Sequence, residues 1–321
     1  MFLTVNAEKD DGPELSKRFS IVGYPTYVVL NGDGATLDRW IGYEKKTWLA
    51  SALAVLADPV TVDDRRERFA KRPSAPDAAR LAMVCDSRGE YGESIVLYRE
   101  AQRLNQDPEK DYLMNVFVAS FYAARRKKAA QEDVAAAADA VLASPKAKPG
   151  ELADVAYLMV VTARGMEQPE KAIPYLKAAV ERTEGTTDPE VQRSRADILA
   201  DYALLVLKDN DKATAYKKAT LPEGWMTDPG RLNGYAWWCF ENGINLDEAQ
   251  TLAEKGAELA KPGTERAMIL DTLAEICNAR GNPAEALAVA RRALADAPDG
   301  KQYQEQVERF GKLAGEMGEG K

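Results

Sequence analysis

"LDTLAEICNARGNPAEALAVARRALADAP", Leu270 to Pro298, decides the fold. Leu270, Leu273, Ala274 and Cys277 recur at offsets of three and four, which places them on one face of a helix. Gly281-Asn282-Pro283 interrupts that helix. A second helix follows at once, with Ala286, Ala290 and Ala293 on its own inner face. Small side chains on both inner faces let the two helices approach closely. A hairpin of this kind buries its faces only by stacking on copies of itself.

The copies are present. Aligning small residues places Ala82, Ala119, Ala156, Ala200, Ala236 and Ala274 in register, about 36 to 44 residues apart. One residue before them stand Leu81, Val118, Val155, Leu199, Tyr235 and Leu273. Four before stand Ala78, Asn115, Leu152, Ala196, Leu232 and Leu270, and three after stand Cys85, Tyr122, Met159, Ala203, Cys239 and Cys277. The second helices carry Ser94, Tyr98, Ala101; Ala136, Ala140, Ala143; Ala172, Leu176, Ala179; and Ala249, Ala253, Gly256, while the copy near Ala213 is degraded. After Pro298 a polar helix is expected to close the array through Tyr303, Val307 and Phe310.

Up to about Pro59 the pattern is different. "FLTVNAE" reads as a strand, and "DDGPELSKRFS" as a helix capped by Asp11 with Glu14 reciprocating. "TYVVL", apolar on both faces, reads as a central strand of a covered sheet. Asn31-Gly32-Asp33-Gly34 is a hairpin turn into "ATLDRWIGY". "KKTWLASALAVLA" follows as a helix with Trp48, Leu49, Ala52, Leu53 and Leu56 on one face.

The Leu270–Pro298 stretch resembles a tetratricopeptide repeat (TPR), with Leu273-Ala274, Gly281, Ala286, Ala293 and Pro298 where that family places such residues. "LNGYAWWCFENGINLDEAQTLAEKGAELAKP" resembles it with one residue inserted before Ala249. Residues 2 to 57 resemble the C-terminal half of a thioredoxin domain, through Gly23-Tyr24-Pro25-Thr26 and Gly42-Tyr43. That resemblance implies a cis Pro25 and a loop of Tyr24, Pro25 and Thr26 that faces a peptide. It also implies a Cys-x-x-C half, which would lie upstream of Met1. As a whole the chain is similar to bacterial proteins that join a thioredoxin domain to such repeats.

Composition narrows the chemistry. The net charge of −8 and a pI near 5.0 argue against nucleic acid, whose binding is dominated by Lys and Arg. No apolar run reaches the roughly 18 residues of a membrane span. With no histidine, Ser-His and Cys-His pairs and the commonest zinc ligand are excluded. Cys85, Cys239 and Cys277 are far apart and share one repeat position, so they read as core residues rather than redox or metal thiols. No catalytic residue, metal ligand or cofactor site is nominated.

Two further stretches stand out. In "NGYAWWCF", Trp237 and Trp238 point about 100° apart on a helix. Either both pack between repeats, or one lines the groove of first helices with Asn233 four residues earlier. "RRKK", Arg125 to Lys128, sits between two helices, as a solvated loop or as an attractor of an acidic partner.

The expected fold is mainly α: a TPR-like helical-hairpin solenoid of about six repeats over residues 60–321, capped from about 299. A partial thioredoxin-like α/β unit over residues 1–59 precedes it. The expected function is a protein- or peptide-binding scaffold that uses the concave face of first helices, with Asn233, Trp237 and Trp238 as contacts. The alternative is a truncated thiol-disulfide oxidoreductase whose dithiol half lies upstream. As the chain stands no signal peptide is visible, which suggests the cytoplasm; a leader further upstream would place it outside.

Overall fold

The computed structural model describes residues 3–43 and 45–318 and is mostly helical. It opens with α1 (Gly12–Arg18), the hairpin β1 (Thr26–Leu30) and β2 (Thr36–Ile41), then α2 (Lys45–Ala57) and α3 (Val62–Lys71). Helical pairs follow: α4 (Ala75–Arg88) with α5 (Tyr91–Leu104), α6 (Leu113–Arg125) with α7 (Gln131–Ala143), and α8 (Pro149–Gly165) with α9 (Ile173–Arg182). Next come α10 (Pro189–Tyr202) and α11 (Asn210–Ala219), α12 (Pro229–Asn242) and α13 (Leu246–Leu259), and α14 (Thr264–Ala279) and α15 (Pro283–Asp296). The last described element is α16 (Lys301–Gly318).

The six aligned alanines, Ala82, Ala119, Ala156, Ala200, Ala236 and Ala274, all lie buried in the first helix of a pair. Local signals set the helix limits. Ser74 accepts from the Asp77 N–H at the start of α4, and Asp228 from the Arg231 N–H (3.0 Å) at the start of α12. Pro283 begins α15 without losing a helical hydrogen bond.

The chain forms two compact units, one ending at Ile198 and one beginning at Leu199. The division falls inside α10, in the copy whose second helix is degraded. There α10 loosens into a π-helical stretch over Ala203–Leu207, and Lys208 turns left-handed (φ 55°) before the short α11. In the first unit each helix from α4 to α9 packs on the next, and α6 also meets α8. In the second unit α12 to α16 pack in the same serial way, and α12 also meets α14. Each unit is a stack of helical hairpins, the repeat-solenoid class of fold. Tyr303 and Phe310 of α16 are buried against the last pair, as a closing helix requires.

Expectations about packing are corrected in two helices. In α7 the buried residues are Val134, Ala137, Ala138 and Val141, not Ala136, Ala140 and Ala143. An alanine-rich helix offers no register of its own, so burial of its two valines turns it. In α6, Asn115 and Tyr122 are exposed, and the buried Phe117 and Phe121 fill the core instead. A phenyl ring buries without the hydroxyl that Tyr122 must keep solvated.

The N-terminal stretch departs most. Of the stretch Phe2 to Glu8 expected as a strand, Leu3 to Glu8 form none, and Phe2 lies outside the described residues. Among the described residues β1 bonds only to β2, antiparallel, with a register shift between Val29 and Leu30. It is half-buried rather than central, since no strand among the described residues lies along its other edge. Asp11 makes no side-chain cap. In α2, Trp48 sits edge-on to Tyr27 (ring centroids 6.1 Å apart), which turns Ser51 and Val55 inward. Leu49, Leu53 and Leu56 are thereby left exposed.

Despite this, the hairpin is held firmly to α4. The buried Arg39 donates from Nη1 to Phe19 O and from Nη2 to Ser87 O (2.9 Å) and Ser20 O (3.3 Å). Burial, then the nearby Arg88, lowers its pKa to about 10. Beside it Asp38 pairs with Arg80 of α4.

Candidate functional site

Asn233, Trp237 and Trp238 all lie on α12 of the second unit. Leu232, Tyr235, Ala236, Trp238 and Cys239 form its buried face, so the positions at Asn233 and Trp237, one turn apart, look the other way. Trp237 is 37% exposed, whereas Trp238 is 6% exposed and lies beneath the Lys217 ammonium (5.7 Å to its ring centre). Trp238 is therefore a packing residue, and the expectation that the pair splits its directions is resolved in favour of Trp237 as the surface ring. Phe240, which sequence reasoning passed over, lies against Trp237 with ring centroids 5.1 Å apart. The i,i+3 spacing was its available signal.

Asn233 supplies the polar element. Its Oδ1 is shielded from solvent and, among the described residues, has no hydrogen-bond partner. Such an acceptor costs ~1–3 kcal/mol while it stays unpaired. Together α12 presents an amide acceptor, an indole and a phenyl ring along one face. It contains no nucleophile or acid–base pair.

Tyr24, Pro25 and Thr26 belong to the first unit. Tyr24 is 66% exposed, Pro25 is exposed, and the bond between them is cis. The Thr26 hydroxyl donates to Gly23 O (2.6 Å), and the Gly42 N–H donates to Pro25 O (2.8 Å). The loop is thus tied to the hairpin, and its exposed ring is Tyr24.

The cysteines are core residues in the structure. All three are fully buried and unpaired. Burial, then Glu93, pushes the Cys85 thiol up to about 12; burial raises Cys239 and Cys277 to about 11. Such thiols are neutral at physiological pH and poor nucleophiles. Cys85, Glu90 and Glu93 lie at a spacing that could ligate a metal. The Arg66 guanidinium occupies that neighbourhood instead, donating to Glu93 and lying 3.8 Å from Cys85 Sγ. A cation is already in place, which argues against a second one.

No protein-family model matches the chain, and no curated protein matches it. Solved structures do resemble it. One is a tetratricopeptide repeat protein from Parabacteroides merdae, 12% identical, covering 83% of this chain and 98% of that one, with a TM-score of 0.47. Another is YrrB, described as a TPR protein with an unusual peptide-binding site, 15% identical over 76% of this chain and 98% of its own, with a TM-score of 0.41. The TPR2AB domain of yeast Sti1, solved with an Hsp90 peptide, is 15% identical over 74% of this chain, with a TM-score of 0.28. The fold assignment rests on the helical pairing itself. Among the described residues no helix is long and apolar enough to cross a membrane.

Proposed function

We propose that the protein is a binding scaffold for a protein or peptide client, with the α12 face of Asn233, Trp237 and Phe240 as a contact site. The observation that carries this is Asn233 Oδ1, a shielded acceptor without a donor, beside an exposed indole on a first helix. A peptide in extended form offers both missing partners, a backbone N–H for the amide and an apolar side chain for the ring. The test is selection of peptides from a random display library on the full chain, followed by titration of the best binders. Asn233→Ala and Trp237→Ala are each expected to weaken binding about tenfold, as for loss of one buried hydrogen bond or one anchor side chain. Unchanged affinity in both variants would remove α12 from the site.

A second reading keeps the thioredoxin resemblance: the N-terminal stretch is half of a thiol-disulfide oxidoreductase, and its Cys-x-x-C half lies upstream. It is favoured by the concentration of exposed apolar side chains there, Leu3, Val5, Leu30, Ile41, Leu49, Leu53 and Leu56, around a hairpin with an open edge. Reading the genomic frame upstream of Met1 tests it. About 50 further residues with a Cys-x-x-C pair support the enzyme, and a stop codon immediately upstream refutes it.

A further inference from the structure

The basic turn "RRKK" is not absorbed by either reading, yet the structure gives it defined surroundings in the first unit. Arg125 ends α6, and Arg126, Lys127 and Lys128 form the turn that follows, all four exposed. Arg125 lies over the Phe121 ring (5.8 Å) and Arg126 over the Tyr91 ring (5.0 Å). Tyr91 in turn stacks on the exposed Tyr122 (ring centroids 5.6 Å apart, planes 20° apart).

Two other segments meet this turn. At the end of α4, Gly89 adopts a left-handed conformation (φ 72°), and a Cβ there would collide with the Arg126 guanidinium and touch Val22. Arg126 and Val22 therefore border the same glycine. Val22 leads into the exposed Tyr24, and Arg39 fixes this segment by holding Phe19 O, Ser20 O and Ser87 O together. Arg88, adjacent to Gly89, adds a fifth cation.

The charge at this place is unbalanced. Among the described residues, none of Arg88, Arg125, Arg126, Lys127 and Lys128 forms an ion pair. Nearby carboxylates have other partners: Asp86 accepts from the Ser94 hydroxyl, Glu93 from Arg66, and Asp133 from the Ala130 N–H (3.2 Å). Glu90 at the α4–α5 turn and Glu132 in the first turn of α7 are the carboxylates that remain beside these five cations. Elsewhere the chain is acidic, with a net charge of −8. A stacked guanidinium keeps its N–H fork free for a carboxylate, and holding it on a ring lowers the entropy lost on binding.

From this we infer that the α4–α5 and α6–α7 turns form a docking surface for a short acidic peptide segment of a partner protein. Arg126 grips a carboxylate in bidentate fashion, and Arg125, Lys127 and Lys128 supply the surrounding field. Tyr122, stacked on Tyr91, offers a ring to its apolar side chains. A long polyanion such as nucleic acid is disfavoured, because it would run from this small patch onto acidic surface.

The test is fluorescence anisotropy of the full chain with a fluorescein-labelled dodecapeptide of Asp and Glu. Binding that weakens with salt is expected. A variant carrying Arg125→Gln, Arg126→Gln, Lys127→Gln and Lys128→Gln should bind about tenfold more weakly, as loss of several screened ion contacts implies. A control carrying Lys171→Gln, Lys261→Gln, Lys301→Gln and Lys312→Gln loses the same charge and should stay within about twofold. Because Arg126 also packs on Tyr91, the milder Lys127→Gln/Lys128→Gln variant guards against misfolding; it should bind about threefold more weakly. Equal weakening in turn variant and control would overturn the proposal, as would no binding by the unaltered chain at low salt. Tighter binding of oligo-dT at the same salt, lost in the turn variant, would assign the patch to phosphate and overturn it too. Self-association lost in that variant, without peptide binding, would also overturn it.

Discussion

Trp237 and Trp238 differ by one position and should differ completely in what their loss does. Trp238 is buried among Tyr235, Lys217 and the core of the second unit, so Trp238→Ala is expected to cost ~3–5 kcal/mol in denaturant unfolding. Trp237 is a surface ring, and Trp237→Ala should cost less than about 1 kcal/mol while impairing peptide binding. Asp86 gives a pH signature. Burial raises its pKa to about 6 from an unperturbed 3.8, although Ser94 and Tyr98 bond to it. The folded state thus binds this proton more tightly than the unfolded chain. Its stabilising contribution is fully present below about pH 3.8 and is lost as pH rises through about 6. Asp58, held near 2 chiefly by its bond from Arg68, works in the opposite sense, but only as pH falls from 3.8 toward 2. Urea midpoints should therefore rise from pH 7 to pH 5, and Asp86→Asn should flatten that rise. Gly89→Ala should cost more than about 1 kcal/mol, since it meets both an unfavourable φ and the Arg126 guanidinium.

At the scale of elements, one ionic cluster joins three helices. Arg65 and Arg68 of α3 both reach Asp58, just beyond α2, and Asp77 of α4. Arg65 and Asp77 are both buried, and Arg68 also holds Asp77, so only the double variant Arg65→Ala/Arg68→Ala strands that carboxylate; it is expected to destabilise the first unit by ~3–5 kcal/mol in urea unfolding, and Arg65→Ala alone by clearly less. Nothing in the spacing of these four residues announced the cluster, because its members come from separate elements. The helices themselves were legible: repeated offsets of three and four depend only on local geometry, and all six first helices lie where the aligned alanines place them. Rotation was less legible wherever apolar residues surround the helix. In α7 the valines decide it, and in α2 the Trp48–Tyr27 contact does. The strand expected at Phe2 to Glu8 is absent from its described residues for a further reason, since a strand needs a neighbour and no local pattern supplies one.

At the scale of the whole molecule, the degraded repeat copy and the division into two units coincide at α10, so the weakest stretch of the repeat pattern is also a structural boundary. The α12 site was half legible. "NGYAWWCF" marked the place, but the exposed member of the tryptophan pair and the unpaired state of Asn233 depend on packing by α11, α13 and α14. This face is the one proposed to receive a client peptide. Hydrogen–deuterium exchange of the full chain, with and without a peptide selected from a random library, tests it most directly. The account predicts added protection over Asn233 to Phe240, absent in Trp237→Ala. Tight binding with protection confined to other helices would contradict it.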